Sequence, residues 1–269
     1  MKKLILMGTS DFVVPIFESL RQKHDVISVF TRAPKPAGRK QVLTPSPVHL
    51  WAESHNIPVH TSIREFDNAG ADFVIVMSYG VIIKDDVLVR GNFINIHPSD
   101  LPKYRGPSPI RTAIKNGDTK SAVCLMKLAH DVDAGDVYMH REFDIDLDDT
   151  FKTVETKVDN IAIEMLDEFL AAPEKYKPMP QVGTPTMSYK ISSDDTIIDW
   201  NKSILEIHNL VRAYGSGRTK INGIDVKILK TKITDGKLDI LKIQPAGKKP
   251  MDWKSFVNGL HGAEIKYGE

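Results

Sequence analysis

Short apolar runs alternate with helix-like stretches through the first half of the chain, and this alternation narrows the fold more than any other feature. Lys3 to Met7, Val26 to Phe30, Phe73 to Met77 and Phe93 to Ile96 are brief, apolar and rich in branched or aromatic residues. Phe12 to Gln22, Ser46 to His55 and Asp85 to Val89 lie between them with helical character. Such a pattern predicts a parallel sheet covered on both faces, an α/β architecture. Pro15 falls in the first turn of its helix, where a missing N–H costs little. Ser121 to Met126 and Val137 to Phe143 read as two further strands bracketing a loop. Val154, Val158, Ile161, Met165, Leu166 and Phe169 recur at helical spacing over residues 150–172, with Thr150 as the cap.

Pro173, Pro178, Pro180 and Pro185 then interrupt regular structure. A helix is expected at Ser203 to Ala213. Thr219 to Ile221, Asp225 to Ile233 and Leu238 to Ile243 alternate like strands, and Asp235-Gly236 is a hairpin signal. The expected organisation is an α/β domain over 1–178, a linker over 179–202 and a small β-rich domain over 203–269.

The net charge of +1, from 36 Lys and Arg against 35 Asp and Glu, argues against a uniformly basic nucleic-acid binder. It conceals a pattern. Residues 1–50 carry +5, residues 51–210 carry −10 and residues 211–269 carry +6. Basic ends on an acidic body can make a directional patch for an anionic partner, although solvated surface lysines are the plainer reading. No apolar run approaches the roughly 18 residues of a membrane span, so no membrane partner is expected. The apolar run after Met1 stops at Gly8-Thr9-Ser10-Asp11 and reads as a first strand rather than a signal peptide. Cys124 is the one cysteine, which excludes an internal disulfide and a cysteine-based metal cluster and fits a reducing, cytoplasmic setting.

Three places can carry chemistry. Gly8-Thr9-Ser10 follows a strand and opens a helix, as a phosphate loop does, yet neither GxGxxG nor GxxxxGK[ST] occurs. A tight strand-to-helix turn is the favoured reading. Asn95 and His97 stand at i and i+2 where an apolar strand ends, so their side chains share a face at the carboxyl edge of the sheet. An amide donor beside an imidazole can stabilise an oxyanion and move a proton. Asp131-Val132-Asp133-Ala134-Gly135-Asp136 puts three carboxylates in a loop between strands. It reads as a solvated acidic turn, a calcium loop that lacks the EF-hand pattern, or a carboxylate that orients His97. His130 and His140 fit no metal spacing, and no GxSxG or HExxH is present.

Asn95-Ile96-His97-Pro98-Ser99, Leu101-Pro102-Lys103-Tyr104-Arg105-Gly106 and Asp133-Ala134-Gly135-Asp136 together resemble the folate-dependent formyltransferases. Gly8-Thr9-Ser10-Asp11-Phe12, Lys35-Pro36-Ala37-Gly38-Arg39-Lys40, Asp199-Trp200, Leu210-Val211-Arg212-Ala213 and Gln244-Pro245-Ala246-Gly247-Lys248-Lys249 are similar to the branch that acts on methionyl-tRNA. The likeness runs through nearly the whole chain. It departs at Asp100, at Ala129 and Asp131, at Tyr214 to Gly217, and in the short stretch from Ile233 to Leu238.

The resemblance implies a Rossmann-like catalytic domain with a mixed or parallel sheet, followed by an abbreviated, OB-like barrel. It implies 10-formyltetrahydrofolate as formyl donor, charged initiator tRNA as acceptor, a monomer, and no metal. Asn95, His97 and Asp133 would form the catalytic trio. Ser99, Asp100, Leu101, Pro102, Tyr79 and Gly80 would line the folate pocket. Arg32, Lys35, Arg39 and Lys40 on the Pro- and Gly-rich loop, with Lys248 and Lys249 in the tail, would meet tRNA. A sugar-nucleotide N-formyltransferase shares the catalytic core and is the nearest alternative. A non-catalytic RNA-binding module is the other, and the intact trio argues against it.

Overall fold

The structure is a computed structural model that describes residues 1–38 and 40–268. Thirteen strands run in chain order among the described residues: β1 (Lys3–Met7), β2 (Asp25–Phe30), β3 (Lys35–Ala37), β4 (Val42–Thr44), β5 (Val59–His60), β6 (Phe73–Val76), β7 (Phe93–His97), β8 (Lys120–Lys127), β9 (Val137–Asp144), β10 (Gly217–Ile221), β11 (Ile224–Thr234), β12 (Lys237–Pro245) and β13 (Met251–Asp252). The helices are α1 (Val14–Lys23), α2 (Pro47–Ser54), α3 (Asp85–Leu88), α4 (Pro109–Asn116), α5 (Phe151–Ala171), α6 (Ile204–Tyr214) and α7 (Trp253–Asn258). They build two compact units that interleave along the chain. The first takes residues 1–107, 122–143 and 155–187, and the second takes 108–121, 144–154 and 188–269.

In the first unit, seven strands order as β5-β2-β1-β6-β7-β8-β9. The five from β5 to β7 are parallel, and β8 runs antiparallel to β7. Every residue of β7 is buried, as are Leu4 to Met7 of β1. Burial on both faces explains why these strands are continuous apolar runs instead of alternating ones. The chain builds outward from β1 to β2 and β5, then returns to place β6 on β1's other side. Ligands of open α/β sheets bind at such a reversal, outside the carboxyl ends of the strands. Register brings Met7, Val76 and Asn95 level there.

Gly8 ends β1 because a Cβ would lie 2.9 Å from both Phe17 and Val13, so the turn needs glycine for close packing onto α1. That accounts for the Gly8-Thr9-Ser10 signal without a phosphate. Ser46 caps α2 by accepting from the His49 N–H at 3.0 Å. Along α5 the side chains of Val158, Met165, Leu166 and Phe169 are buried, and Phe169 meets Phe73 and Tyr138 edge-on. Thr150 caps that helix through the Thr153 N–H.

The second unit is built around α6 and a four-stranded antiparallel sheet, β10-β11-β12-β13. That is one strand fewer than a full OB barrel. Asp235 and Gly236 both take positive φ at the β11–β12 turn, as a tight hairpin requires. Ile198, Ile207, Val211, Ile228 and Ile240 form one apolar cluster, and Ile221, Val226, Ile243 and Phe256 another. Residues 144–154 join this unit through two buried side chains of α6. Arg212 donates to the carbonyls of Asp146 and Asp149 at 3.1 and 3.0 Å, and His208 Nε2 meets the Leu147 carbonyl at 3.0 Å. Burial pulls the His208 pKa down, which keeps the ring neutral.

Two helices were not expected from sequence. Pro109 starts α4 in its first turn, where proline is tolerated. The six-residue α7 is capped by Asp252, whose side chain accepts from Ser255 N–H at 2.8 Å. The basic loop after β2 is a small β3–β4 hairpin with every strand residue exposed.

Ser203 and Glu206 form a reciprocal capping box at the start of α6. Ser203→Ala is expected to destabilise the protein by about 1 kcal/mol, read as a lower midpoint in urea denaturation.

Candidate active site

β7 presents Asn95 and His97 on one face, and both are buried. The loop after β8 brings Asp133 to them. Asn95 Nδ2 donates to Asp133 Oδ1 at 3.3 Å, and His97 Nδ1 stands 3.5 Å from Asp133 Oδ2. Gly106 N–H donates to the same Oδ2 at 2.8 Å. The other ring nitrogen, His97 Nε2, lies 3.0 Å from the Tyr104 carbonyl. A carbonyl only accepts, so Nε2 carries a proton there. Asp133 has φ +50°, a left-handed conformation that Asp tolerates better than most residues. Its loop is tight: a Cβ on Gly135 would overlap the Lys127 carbonyl oxygen, so only glycine fits. In this arrangement the Asp133 carboxylate faces His97.

The expected folate-lining residues follow directly. Ser99 and Leu101 are buried, while Asp100 is exposed and pairs with His140 at 2.8 Å. Leu101 packs with Cys124 and Met126. Ser99 Oγ is buried and has no hydrogen-bond partner among the described residues. The Leu101–Pro102 peptide is cis. Tyr79 follows β6, the strand beside β7. Its carbonyl accepts from Thr9 Oγ1 at 2.9 Å, and burial pushes its phenol up to about 12. Gly80 has φ +75°.

Among the described basic candidates, Lys35, Lys40, Lys248 and Lys249 are exposed and Arg32 is half-buried. Lys35 and Lys40 are exposed at the β3–β4 hairpin, and Arg39 lies outside the described residues. Arg32, at the end of β2, keeps Nη1 buried without a hydrogen-bond partner among the described residues. Lys248 and Lys249 are exposed in the second unit, just past a cleft of about 660 Å³ lined by Arg218, Lys220, Lys227 and Gln244 to Gly247. Arg218 and Lys227 are directly opposed across β10 and β11. Like charges facing each other across strands are destabilising.

Sequence reasoning missed four contributors: the Tyr104 carbonyl, the Gly106 N–H, the need for glycine at 135, and Gln181. Gln181 lies in the stretch expected to be a linker, yet its Nε2 donates to the carbonyls of Asp133 and Gly135 at 2.8 and 2.9 Å. Among the described residues no group of three or more His, Cys, Asp or Glu side chains is disposed to hold a metal ion, and no helix is long and apolar enough to cross a membrane.

The profile of the formyl transferase family matches residues 1–170, and that of the formyl transferase C-terminal domain matches residues 190–238. The chain belongs to the formyl transferase family. This formyl transferase is 31% identical to a methionyl-tRNA formyltransferase of Coprothermobacter proteolyticus, over 99% of both chains. It is likewise 31% identical, over 99% of both, to one from Fusobacterium nucleatum. Among solved structures, the methionyl-tRNA formyltransferase of Clostridium thermocellum superposes with a TM-score of 0.66 at 16% identity, covering 91% of this chain and 99% of the other. An N-formyltransferase from Helicobacter canadensis in complex with folinic acid and dTDP-3-aminofucose gives 0.67 at 22%, covering 87% and 89%. These two structures share the fold.

Burial pushes the Cys124 thiol up to about 12, and its Sγ lies 3.2 Å from the Ser99 carbonyl. The native formyl transferase is therefore expected to resist iodoacetamide at pH 8 and to react once unfolded in urea, as followed by mass spectrometry.

Proposed function

We propose that this formyl transferase moves the formyl group of 10-formyltetrahydrofolate to the amino group of methionyl-tRNA, giving the N-formylated initiator. The convergence of Asn95, His97 and Asp133 carries this reading. The donor supplies an activated formyl group on a nitrogen that can leave. Transfer breaks one N–H bond of the acceptor amine and makes one on the folate nitrogen, so the protein must move a proton and hold charge. Asn95 keeps a second amide N–H beyond the one given to Asp133, and it would meet the negative charge that builds on the formyl oxygen. His97 moves the proton through Nδ1, and Asp133 Oδ2, 3.5 Å away, balances the charge that forms on the ring.

Ser99, Asp100, Leu101, Pro102, Tyr79 and Gly80 would line the folate pocket. Residues 1–178 would carry the chemistry, and residues 203–269 would hold tRNA. Arg32, Lys35, Arg39 and Lys40 in the first unit, and Lys248 and Lys249 in the second, would meet phosphates, because such contacts position a nucleic acid without reading its bases. The full-length likeness to methionyl-tRNA formyltransferases, C-terminal residues included, supports the tRNA acceptor. On this reading the enzyme works as a monomer in the cytoplasm.

Incubation with 10-formyltetrahydrofolate and methionyl-tRNA should give formylmethionyl-tRNA. Product only with an amino-sugar nucleotide would replace the acceptor. Asn95→Ala and His97→Ala are each expected to lower kcat by about 10²–10³ while circular dichroism stays unchanged. Near-wild-type turnover in either variant would remove the assignment. The paired change Lys248→Glu with Lys249→Glu should raise KM for tRNA and flatten its salt dependence, leaving KM for folate unaltered.

A further inference from the structure

Gln181 joins the two loops that make the site. Its Nε2 donates to the Asp133 carbonyl at 2.8 Å and the Gly135 carbonyl at 2.9 Å. Its Oε1 accepts from Arg105 Nε at 3.1 Å and Arg105 Nη2 at 2.7 Å. Carbonyls only accept and a guanidinium only donates, so one amide orientation alone satisfies all four bonds. One side chain thus ties the 104–106 loop, which supplies the Tyr104 carbonyl and the Gly106 N–H, to the loop that carries Asp133.

The surrounding strap reinforces this link. Met179 and Val137 exchange backbone hydrogen bonds at 2.8 and 2.9 Å. Thr186 accepts from the Tyr104 N–H through Oγ1 at 2.9 Å and from the Arg105 N–H through its carbonyl at 2.9 Å. Residues 179–187 therefore run across both loops, and the Gln181 side chain is bonded to both. Asp133, at φ +50°, needs outside restraint to hold a left-handed backbone. Gln181 supplies it at the carbonyl, while Gly106 holds the carboxylate.

We infer that Gln181 is a positioning residue for formyl transfer: it fixes the Asp133 carboxylate against Asn95 and His97 without touching the reacting atoms. The inference rests on the proposed transfer reaction. Because Gln181 sets geometry and binds neither substrate, its loss should appear in kcat and leave both KM values unchanged. Misplacing a reacting group by about 1 Å can cost on the order of 10²-fold in rate.

The test compares wild type with Gln181→Met, which removes all four bonds, and Gln181→Glu, which keeps the shape and the Arg105 pair but loses the donors to the two carbonyls. Formyl transfer to methionyl-tRNA is measured beside amide hydrogen exchange. Both variants should lose about 10- to 100-fold in kcat with KM unchanged. Exchange should quicken in residues 104–106 and 131–136 and stay slow in β1 and β6. If Gln181→Met loses protection throughout the first unit, Gln181→Glu decides by the same criteria. Wild-type kcat in the deciding variant, with or without a loosened loop, would overturn the inference. So would a loss confined to KM. Absence of transfer by the wild type would instead refute the proposed reaction, and the exchange data would still decide whether Gln181 holds the two loops together.

Discussion

Asp133 holds a left-handed backbone, at φ +50°, while its carboxylate accepts from the Gly106 N–H and the Asn95 amide and faces His97. A residue other than glycine in this region costs roughly 1–3 kcal/mol and persists only where its surroundings compel it. Here the surroundings do. The Lys127 carbonyl leaves no room for a side chain at Gly135, the Lys127 N–H donates to the Asp136 carbonyl at 2.8 Å, and Gln181 binds the carbonyls on either side of the turn. The restraint converts a loop carboxylate, ordinarily mobile, into a fixed charge at the end of a buried strand.

The sheet explains why that charge has something to act upon. Asn95 and His97 lie on β7, which is buried along its whole length, so neither side chain can turn away to water. Register fixes them beside Met126 and Cys124 of β8, the strand that leads into the Asp133 loop. The same sheet reversal that places β6 between β1 and β7 gathers three strand ends at one edge. Catalytic groups on rigid strands, closed over by loops that are themselves pinned, are preorganised for charge that develops during reaction. The antiparallel C-terminal sheet answers a different need. Arg218, Lys227, Lys248 and Lys249 are exposed there, and on the proposed reading they would meet phosphates.

Much of this was legible in the residues. β1, β2, β6 and β7 were readable because buried parallel strands are unbroken apolar runs, and α5 because its buried side chains keep helical spacing. Asn95 and His97 were readable from their i, i+2 spacing at a strand end. Asp133 stood among three carboxylates, and spacing alone did not single it out; the family likeness did. The Tyr104 carbonyl and Gly106 N–H left no trace, because backbone groups are common to every residue and only loop geometry selects them. Gln181 was hidden for a related reason. Its flanking prolines read as a linker, and the hydrogen bonds that make it part of the site join residues 48 and 76 positions apart. α4 was not read from the residues; its Pro109 sits in the first turn, where a helix accepts proline.

The proposed transfer turns on the Asp133 carboxylate. Single-turnover formyl transfer from 10-formyltetrahydrofolate to methionyl-tRNA by Asp133→Asn, which keeps the shape but not the charge, measures it most directly. The expected result is a rate at least about 10² lower than wild type with folate binding retained. A rate equal to wild type would contradict it.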